Sequence, residues 1–253
     1  MILVMAGTAD GREIVRRLHE AGASVLTTVA TSYGEEIFEE MGLGHLCIKG
    51  RLDGDALVEF IDNNGIDTII DATHPYAADA SRTAISACEK RGIRYIRFQR
   101  EATSLPESPL IHEVDDVGEA AAAAGGLGRR ILLTTGFNSI KDFSPLQKDG
   151  THDIIVRILP MPEHVTRCIE MGILSKNIVA VQGPFSKKFN LENIRDFNID
   201  VVVTKDGGRE AKMQEKIDAC LETDTPLVVI KRPVLDYPTT HSSMDDLLRG
   251  LSS

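Results

Sequence analysis

The densest group of chemistry-bearing residues in this 253-residue chain is Asp71-Ala72-Thr73-His74-Pro75-Tyr76-Ala77-Ala78-Asp79, with Ser81 and Arg82 just behind it. It follows the apolar run DTIIDA, which places it at the carboxyl end of a buried strand, the edge at which open α/β sheets bind ligands. Thr73 and His74 are expected to face that edge, Pro75 to open the next helix, and Arg82 to aim a guanidinium at an anionic group. His74 and Tyr76 are the candidate proton donors. A histidine in such a turn also serves a structural purpose when its ring bonds nearby backbone, and both readings stay open.

A second candidate lies after the first strand, where Ala6-Gly7-Thr8-Ala9-Asp10-Gly11 runs into the helical pattern EIVRRLHEAG. Glycines allow a tight turn that exposes N–H groups at a helix start, where those donors and the helix dipole favour phosphate. The loop is short of a full G-x-G-x-x-G, and an ordinary turn capped by Thr8 or Asp10 is the competing reading. The next strand, SVLTTVA, ends at Thr31 and Ser32, where a site for NADH often carries an acid for the ribose hydroxyls. Hydroxyls tolerate a 2′-phosphate better than a carboxylate does, which favours NADPH while leaving NADH open. Thr31 and Ser32 also suit plain helix caps. The cofactor-binding set is therefore Gly7, Thr8, Ala9, Asp10, Thr31, Ser32, Thr73, His74 and Pro75.

Three turns in the second half repeat the theme: Thr134-Thr135-Gly136, Gln182-Gly183-Pro184-Phe185-Ser186 and Thr204-Lys205-Asp206-Gly207-Gly208. Each ends a β-branched run, so all are expected along one sheet edge. Lys205 with the Gly207-Gly208 backbone suits a carboxylate or phosphate. Lys187 and Lys188 open the following helix, either as a solvated face or as the rim of an anion site. Substrate-binding candidates are thus Arg82, Thr135, Gly136, Gln182, Gly183, Ser186, Lys187, Lys205, Asp206, Gly207 and Gly208.

The elements that must hold these residues alternate regularly. ILVM, SVLTTVA, HLCI, DTIIDA and RYIRF are separated by helical patterns in the first half. RILLTTG, DIIVRILP, IVAVQG, DVVVTK and PLVVIK follow in the second. Such alternation predicts parallel strands joined by crossover helices. Pro106 and Pro109 interrupt the rhythm. The expected organisation is a Rossmann-like domain over 1–100, a linker over 101–110, a second Rossmann-like domain over 111–235, and a tail over 236–253 with one short helix, MDDLLRGL, able to pack on either lobe.

Composition removes several alternatives. Twenty-eight basic against 38 acidic residues give a formal charge of −10, which argues against general nucleic-acid binding. Cys47, Cys88, Cys168 and Cys220 are too scattered for zinc or a dithiol and are expected as reduced core or near-core residues. Seven dispersed histidines suggest no metal site. The start of the chain lacks the layout of a signal peptide and no run approaches the ~18 apolar residues of a membrane span, so a cytoplasmic location with no membrane partner is expected. Walker, nucleophile-elbow and H-E-x-x-H motifs are absent, as is the Tyr-x-x-x-Lys pair of a short-chain dehydrogenase. A dinucleotide enzyme or a two-lobed binding protein for an anionic small molecule remains.

With these segments in place, the chain resembles the precorrin-6A reductase family of corrin-ring biosynthesis, its cobalt-precorrin branch included. The resemblance runs nearly end to end, through ILVMAGTADGREIVRRL, IIDATHPYAADASRTAISACEKRGIRYIRFQRE, ILLTTG, VRILP, VQGPFS, VVVTKDGG and PLVVIKRP. Asp71 to Arg82 is its most specific part. The first loop departs from the family's Gly-Gly-Thr, since Ala6 stands at the first glycine. The resemblance implies two doubly wound Rossmann-like or flavodoxin-like α/β lobes with parallel sheets and an interdomain cleft. It implies a nicotinamide cofactor that reduces a ring double bond of a tetrapyrrole-derived macrocycle. The macrocycle's carboxylates require gathered cations, for which Arg82, Lys187, Lys188, Lys205 and Arg209 are the candidates.

Overall fold

The structure is a computed structural model that describes residues 1–148, 150–208 and 212–251. The chain divides into two compact units, Met1–Glu101 with Pro233–Ser253, and Ala102–Arg232. The first unit begins with β1 (Ile2–Met5), α1 (Ala9–Glu20), β2 (Val25–Val29), α2 (Ser32–Glu40), β3 (Cys47–Lys49), α3 (Gly54–Asn64), β4 (Thr68–Asp71), α4 (Ala78–Arg91) and β5 (Arg94–Phe98). The second contains β6 (Ile111–Val114), α5 (Val117–Leu127), β7 (Arg130–Leu133), α6 (Ile140–Lys148), β8 (Asp153–Ile158), α7 (Pro162–Glu170), β9 (Ile178–Ala180), α8 (Lys187–Asp196), β10 (Val201–Lys205), α9 (Met213–Glu222) and β11 (Leu227–Ile230). The chain then returns to the first unit with β12 (Thr240–His241) and α10 (Met244–Leu251).

Each unit holds one six-stranded sheet, ordered β12-β5-β4-β1-β2-β3 and β6-β11-β10-β7-β8-β9. Every pairing is parallel. Both follow the doubly wound Rossmann pattern, in which the order of strands reverses beside the first one. The reversal falls between β1 and β4 in the first unit and between β7 and β10 in the second. The loops after those four strands therefore have room for a ligand.

Parallel strands covered on both faces read as continuous apolar runs, and the register shows why. Leu3 and Ile69 are fully buried with Leu57 and Ile61 of α3 and Ala84 of α4 on one face of the first sheet. Val4 and Ile70 are buried on the other with Ile14, Val15 and Leu18 of α1. Leu247 of α10 is 0% exposed in that same cluster, so the short C-terminal helix packs on the first unit, which takes in the chain from Pro233. Helices start where the sequence supplies an oxygen for an orphan amide: the side chains of Thr8, Asp53, Asp116 and Ser186 each accept an N–H of the first turn.

The start of α4 differs from expectation. Pro75 and Tyr76 lie in a turn, and the helix opens at Ala78 after Ala77. Asp71 already collects the Thr73 amide, which holds the chain in a turn here. Cys88, Cys168 and Cys220 are buried free thiols and Cys47 is half-buried. Burial pushes Cys88 and Cys220 up to about 12, which keeps them unreactive. Among the described residues no helix is long and apolar enough to cross a membrane.

Candidate active site

In the first unit the loops after β1 and β4 are in direct contact. The Thr8 hydroxyl accepts the Gly11 N–H (3.2 Å) and donates to the Ala72 carbonyl (3.0 Å), tying the start of α1 to the end of β4. A Cβ on Gly7 would lie 3.2 Å from the His74 nitrogen and from Thr73 Cα, so the exposed Gly7 backbone passes the second loop at a distance few side chains allow. A Cβ on Gly11 would lie 2.7 Å from Ala6 Cα. Gly11 thus has the part of the third glycine of a dinucleotide fingerprint, close helix–strand packing, even though Ala6 replaces the first. An exposed glycine backbone leading into a helix start fits a phosphate.

Beneath these loops lies a buried ionic hub. Asp71 and Arg97 have side chains 0% and 1% exposed and pair at 2.7 Å. Asp71 also accepts the Thr73 amide (3.0 Å) and hydroxyl (2.6 Å), the Ser81 hydroxyl (2.6 Å) and the Tyr95 hydroxyl (2.7 Å). Burial alone would raise the Asp71 pKa, but the Arg97 charge and the Ser81, Thr73 and Tyr95 donors outweigh it and hold the carboxyl below its ordinary range. Arg97 donates onward to the Thr73 carbonyl (3.1 Å) and to Gln99 Oε1 (3.0 Å), and lies 5.3 Å from the Tyr237 ring centroid. Asp71, Thr73 and Arg97 therefore fix the β4–α4 loop from below and leave His74, Pro75 and Tyr76 on the rim. There His74 Nδ1 accepts the Tyr76 N–H at 3.4 Å and the two rings stand 5.5 Å apart.

The second unit presents a pocket of about 380 Å³ at the carboxyl ends of β7, β8 and β9, lined by Gly136, Phe137, Arg157, His164, Gly183, Phe185 and Lys216 among others. Arg157 is 7% exposed, donates to Asn190 Oδ1 (2.8 Å) and lies 4.4 Å over the Phe185 ring. Lys216 is 9% exposed, and its ammonium donates to the Thr204 hydroxyl. Burial pushes Arg157 down to about 10. Burial, reinforced by the Arg157 charge, pushes Lys216 down to about 7. Phe137 stacks on His164 at 4.6 Å, giving the pocket a flat aromatic wall.

The expected residues divide accordingly. Gly7, Thr8, Ala9 and Asp10 are gathered with Thr73, His74 and Pro75; Asp10, however, pairs with Arg100 at 2.6 Å. Thr31 caps α2 by accepting the Gly34 N–H (3.1 Å), with Ser32 the first residue of that helix. In the second unit Gly136 and Gly183 line the pocket, and Thr135 is buried beside Gly136 with a hydroxyl that has no partner among the described residues. Gln182 is exposed beyond β9, and Ser186 caps α8. Lys205, half-buried at the end of β10, has its ammonium pushed down by burial.

Several expectations are corrected. Arg82 does not aim inward: it pairs with Asp79 at 2.6 Å on the exposed surface of α4. Lys187 pairs with Glu222 at 2.7 Å, also in solvent. Asp206 is turned to the backbone, accepting the Gly208 N–H (3.0 Å) and pairing with Arg232 (3.0 Å), and so organises the Gly207-Gly208 turn. Arg209 lies outside the described residues. The cations that line the pocket are Arg157 and Lys216, which the sequence reading passed over. Their signal was a lone charge within apolar periodicity: Arg157 interrupts the run IIVRI, and Lys216 falls on the buried stripe Met213, Ile217, Cys220 of α9.

Comparisons with known proteins agree with this architecture. A cobalt-precorrin-6A reductase of Priestia megaterium is 31% identical over 255 residues, covering 99% of this chain and 98% of that one. One from Methanocaldococcus jannaschii is 34% identical over 253 residues, covering 100% and 98%. A precorrin-6A reductase of Rhodococcus erythropolis is 30% identical, covering 99% and 96%. A solved structure described as CobK precorrin-6A reductase matches with a TM-score of 0.82 at 25% identity, covering 99% of this chain and 96% of that one. The family model described as precorrin-6x reductase CbiJ/CobK matches residues 1–252, and the chain belongs to that family of oxidoreductases.

Proposed function

We propose that the protein reduces one ring double bond of precorrin-6A, with or without cobalt, to the 6B form, taking hydride from NADPH in preference to NADH. The observation that carries this reading, given the family, is the pair of loops at the first unit's strand reversal, where exposed Gly7 passes within a Cβ contact of Thr73 and His74. Gly7, Thr8 and Ala9 would hold the cofactor's phosphates against the start of α1. Thr31 and Ser32 stand where an acid would repel a 2′-phosphate, which supports NADPH.

A bound nicotinamide supplies the hydride, and the chain's own residues place, shield and protonate. His74 and Tyr76, on the rim above the Asp71–Arg97 hub, are the candidate sources of the proton that joins the carbon next to the one receiving hydride. Gly136, Gly183 and the aromatic wall of Phe137 and Phe185 suit the edge of a flat macrocycle. Hydride from the cofactor and a proton from the chain would together saturate the double bond. NADPH carrying deuterium at the transferable C4 position tests this: the reading requires transfer of deuteride, giving a product about one mass unit heavier than that formed with unlabelled NADPH. A product without label, formed in the same incubation, contradicts it.

A further inference from the structure

Buried cations are retained when something neutralises them, and in the second unit's pocket no carboxylate among the described residues does. Arg157 and Lys216 both line the pocket and are 7% and 9% exposed. Among the described residues neither has a carboxylate partner. Arg157 donates to the Asn190 side-chain carbonyl and Lys216 to the Thr204 hydroxyl, and the one acidic group among the described residues that acts on either charge is the Cys220 thiol, which burial keeps protonated. This occurs in a chain with a surplus of ten acidic charges, where a structural pairing would have been easy to supply. Two uncompensated like charges side by side oppose folding.

We propose that Arg157 and Lys216 form a subsite for one carboxylate of the ligand, and that this is why the pocket keeps them. The geometry favours a carboxylate on an apolar body. The guanidinium is held flat, over Phe185 at 4.4 Å and 5.8 Å from the Phe189 centroid, with Asn190 fixing one edge. That leaves its planar fork for a bidentate acid. Phe137 and Phe185 wall the space in front of it. Resting on the function proposed above, the acid is a peripheral carboxylate arm of the macrocycle. A second source of negative charge, a cofactor phosphate, is separated by the test.

A carboxylate here would also hold Lys216 protonated. The groups that face it are Arg157 from β8, Thr204 from β10, Cys220 from its own helix and His164 from α7 across the pocket. Burial and Arg157 depress Lys216 to about 7, so binding above neutral pH should draw in a proton.

The test uses the intact chain as wild type, Lys216→Met, Arg157→Lys and the exposed control Lys176→Met, titrated with precorrin-6A and separately with NADPH. Expected are a roughly ten-fold or greater weakening of precorrin-6A for the two pocket variants, NADPH affinity within about two-fold, and no change for the control. Lys216→Met should melt no lower than wild type, because a structural cation lowers the melting temperature when removed and a functional one does not. Calorimetry above neutral pH in two buffers of different ionisation enthalpy should show proton uptake on binding by wild type and none by Lys216→Met. Equal precorrin-6A affinity in wild type and Lys216→Met, or a loss confined to NADPH, overturns the subsite while leaving the reductase reading intact. If precorrin-6A fails to bind wild type, glutarate decides: stabilisation of wild type but not of Lys216→Met keeps the subsite and removes the macrocycle, and no stabilisation of either removes both.

Discussion

Replacing Arg97 by Met tests whether the buried hub is what holds the β4–α4 loop. The side chain keeps most of its apolar stem, so little packing is lost, but Asp71 is left as a carboxylate 0% exposed without its counter-charge. The Thr73 carbonyl and Gln99 Oε1 lose their donors as well. Removing one partner of a buried pair costs about 3–5 kcal/mol. In a unit of roughly 120 residues that corresponds to a fall in melting temperature on the order of 10–20 °C. The pH dependence identifies the cause. In wild type the Asp71 pKa is held down, so its contribution is complete above the unfolded value of about 4 and is lost as pH falls through the lower folded value. Without the guanidinium, the upward push of burial is no longer outweighed by that charge, and protonating Asp71 relieves the variant. The gap between wild type and variant should therefore narrow from about pH 7.5 to about pH 5. Thermal melts of both proteins across that range measure it, together with NADPH affinity at a temperature where both are folded, which should fall because Thr73 and His74 lose their support. A melting temperature within about 2 °C of wild type, or a gap that stays constant with pH, refutes the assignment.

Further outcomes follow from the same contacts. Gly7→Val puts a branched Cβ against the Thr73–His74 backbone and should weaken NADPH roughly ten-fold or more by fluorescence titration, with precorrin-6A binding retained. Thr8→Val loses both the cap to Gly11 and the bond to Ala72, and should lower stability by about 1–2 kcal/mol in a denaturant titration. Arg82→Ala removes only an exposed pair with Asp79, so its KM for precorrin-6A should stay within about two-fold of wild type, against the role its position in the sequence suggested.

The alternation of apolar runs predicted ten of the strands because a parallel strand buried on both faces has a nearly continuous apolar signature. The two it passed over, β6 and β12, sit at sheet edges. IHEV in β6 is half-exposed, and β12 is only Thr240 and His241, placed by pairing with β5 and not by its own composition. Helix α6 was also missed, since Pro145 lies within it. At the site, the glycine loop and Asp71 to Tyr76 were legible because turn chemistry is local. The hub and the pocket cations were not, because the meaning of Arg97, Arg157 and Lys216 depends on what surrounds them across strands. A charge inside an apolar run was the signal available, and Arg82 and Lys187, in exposed helical stretches, attracted the assignment instead.

The most direct measurement of the central claim is nicotinamide absorbance in an anaerobic mixture of the protein, NADPH and precorrin-6A or its cobalt form. The account predicts loss of NADPH in about equal amount to the 6B product, dependent on protein and macrocycle together. Binding of both ligands with no NADPH consumed, in either metal state, would contradict it.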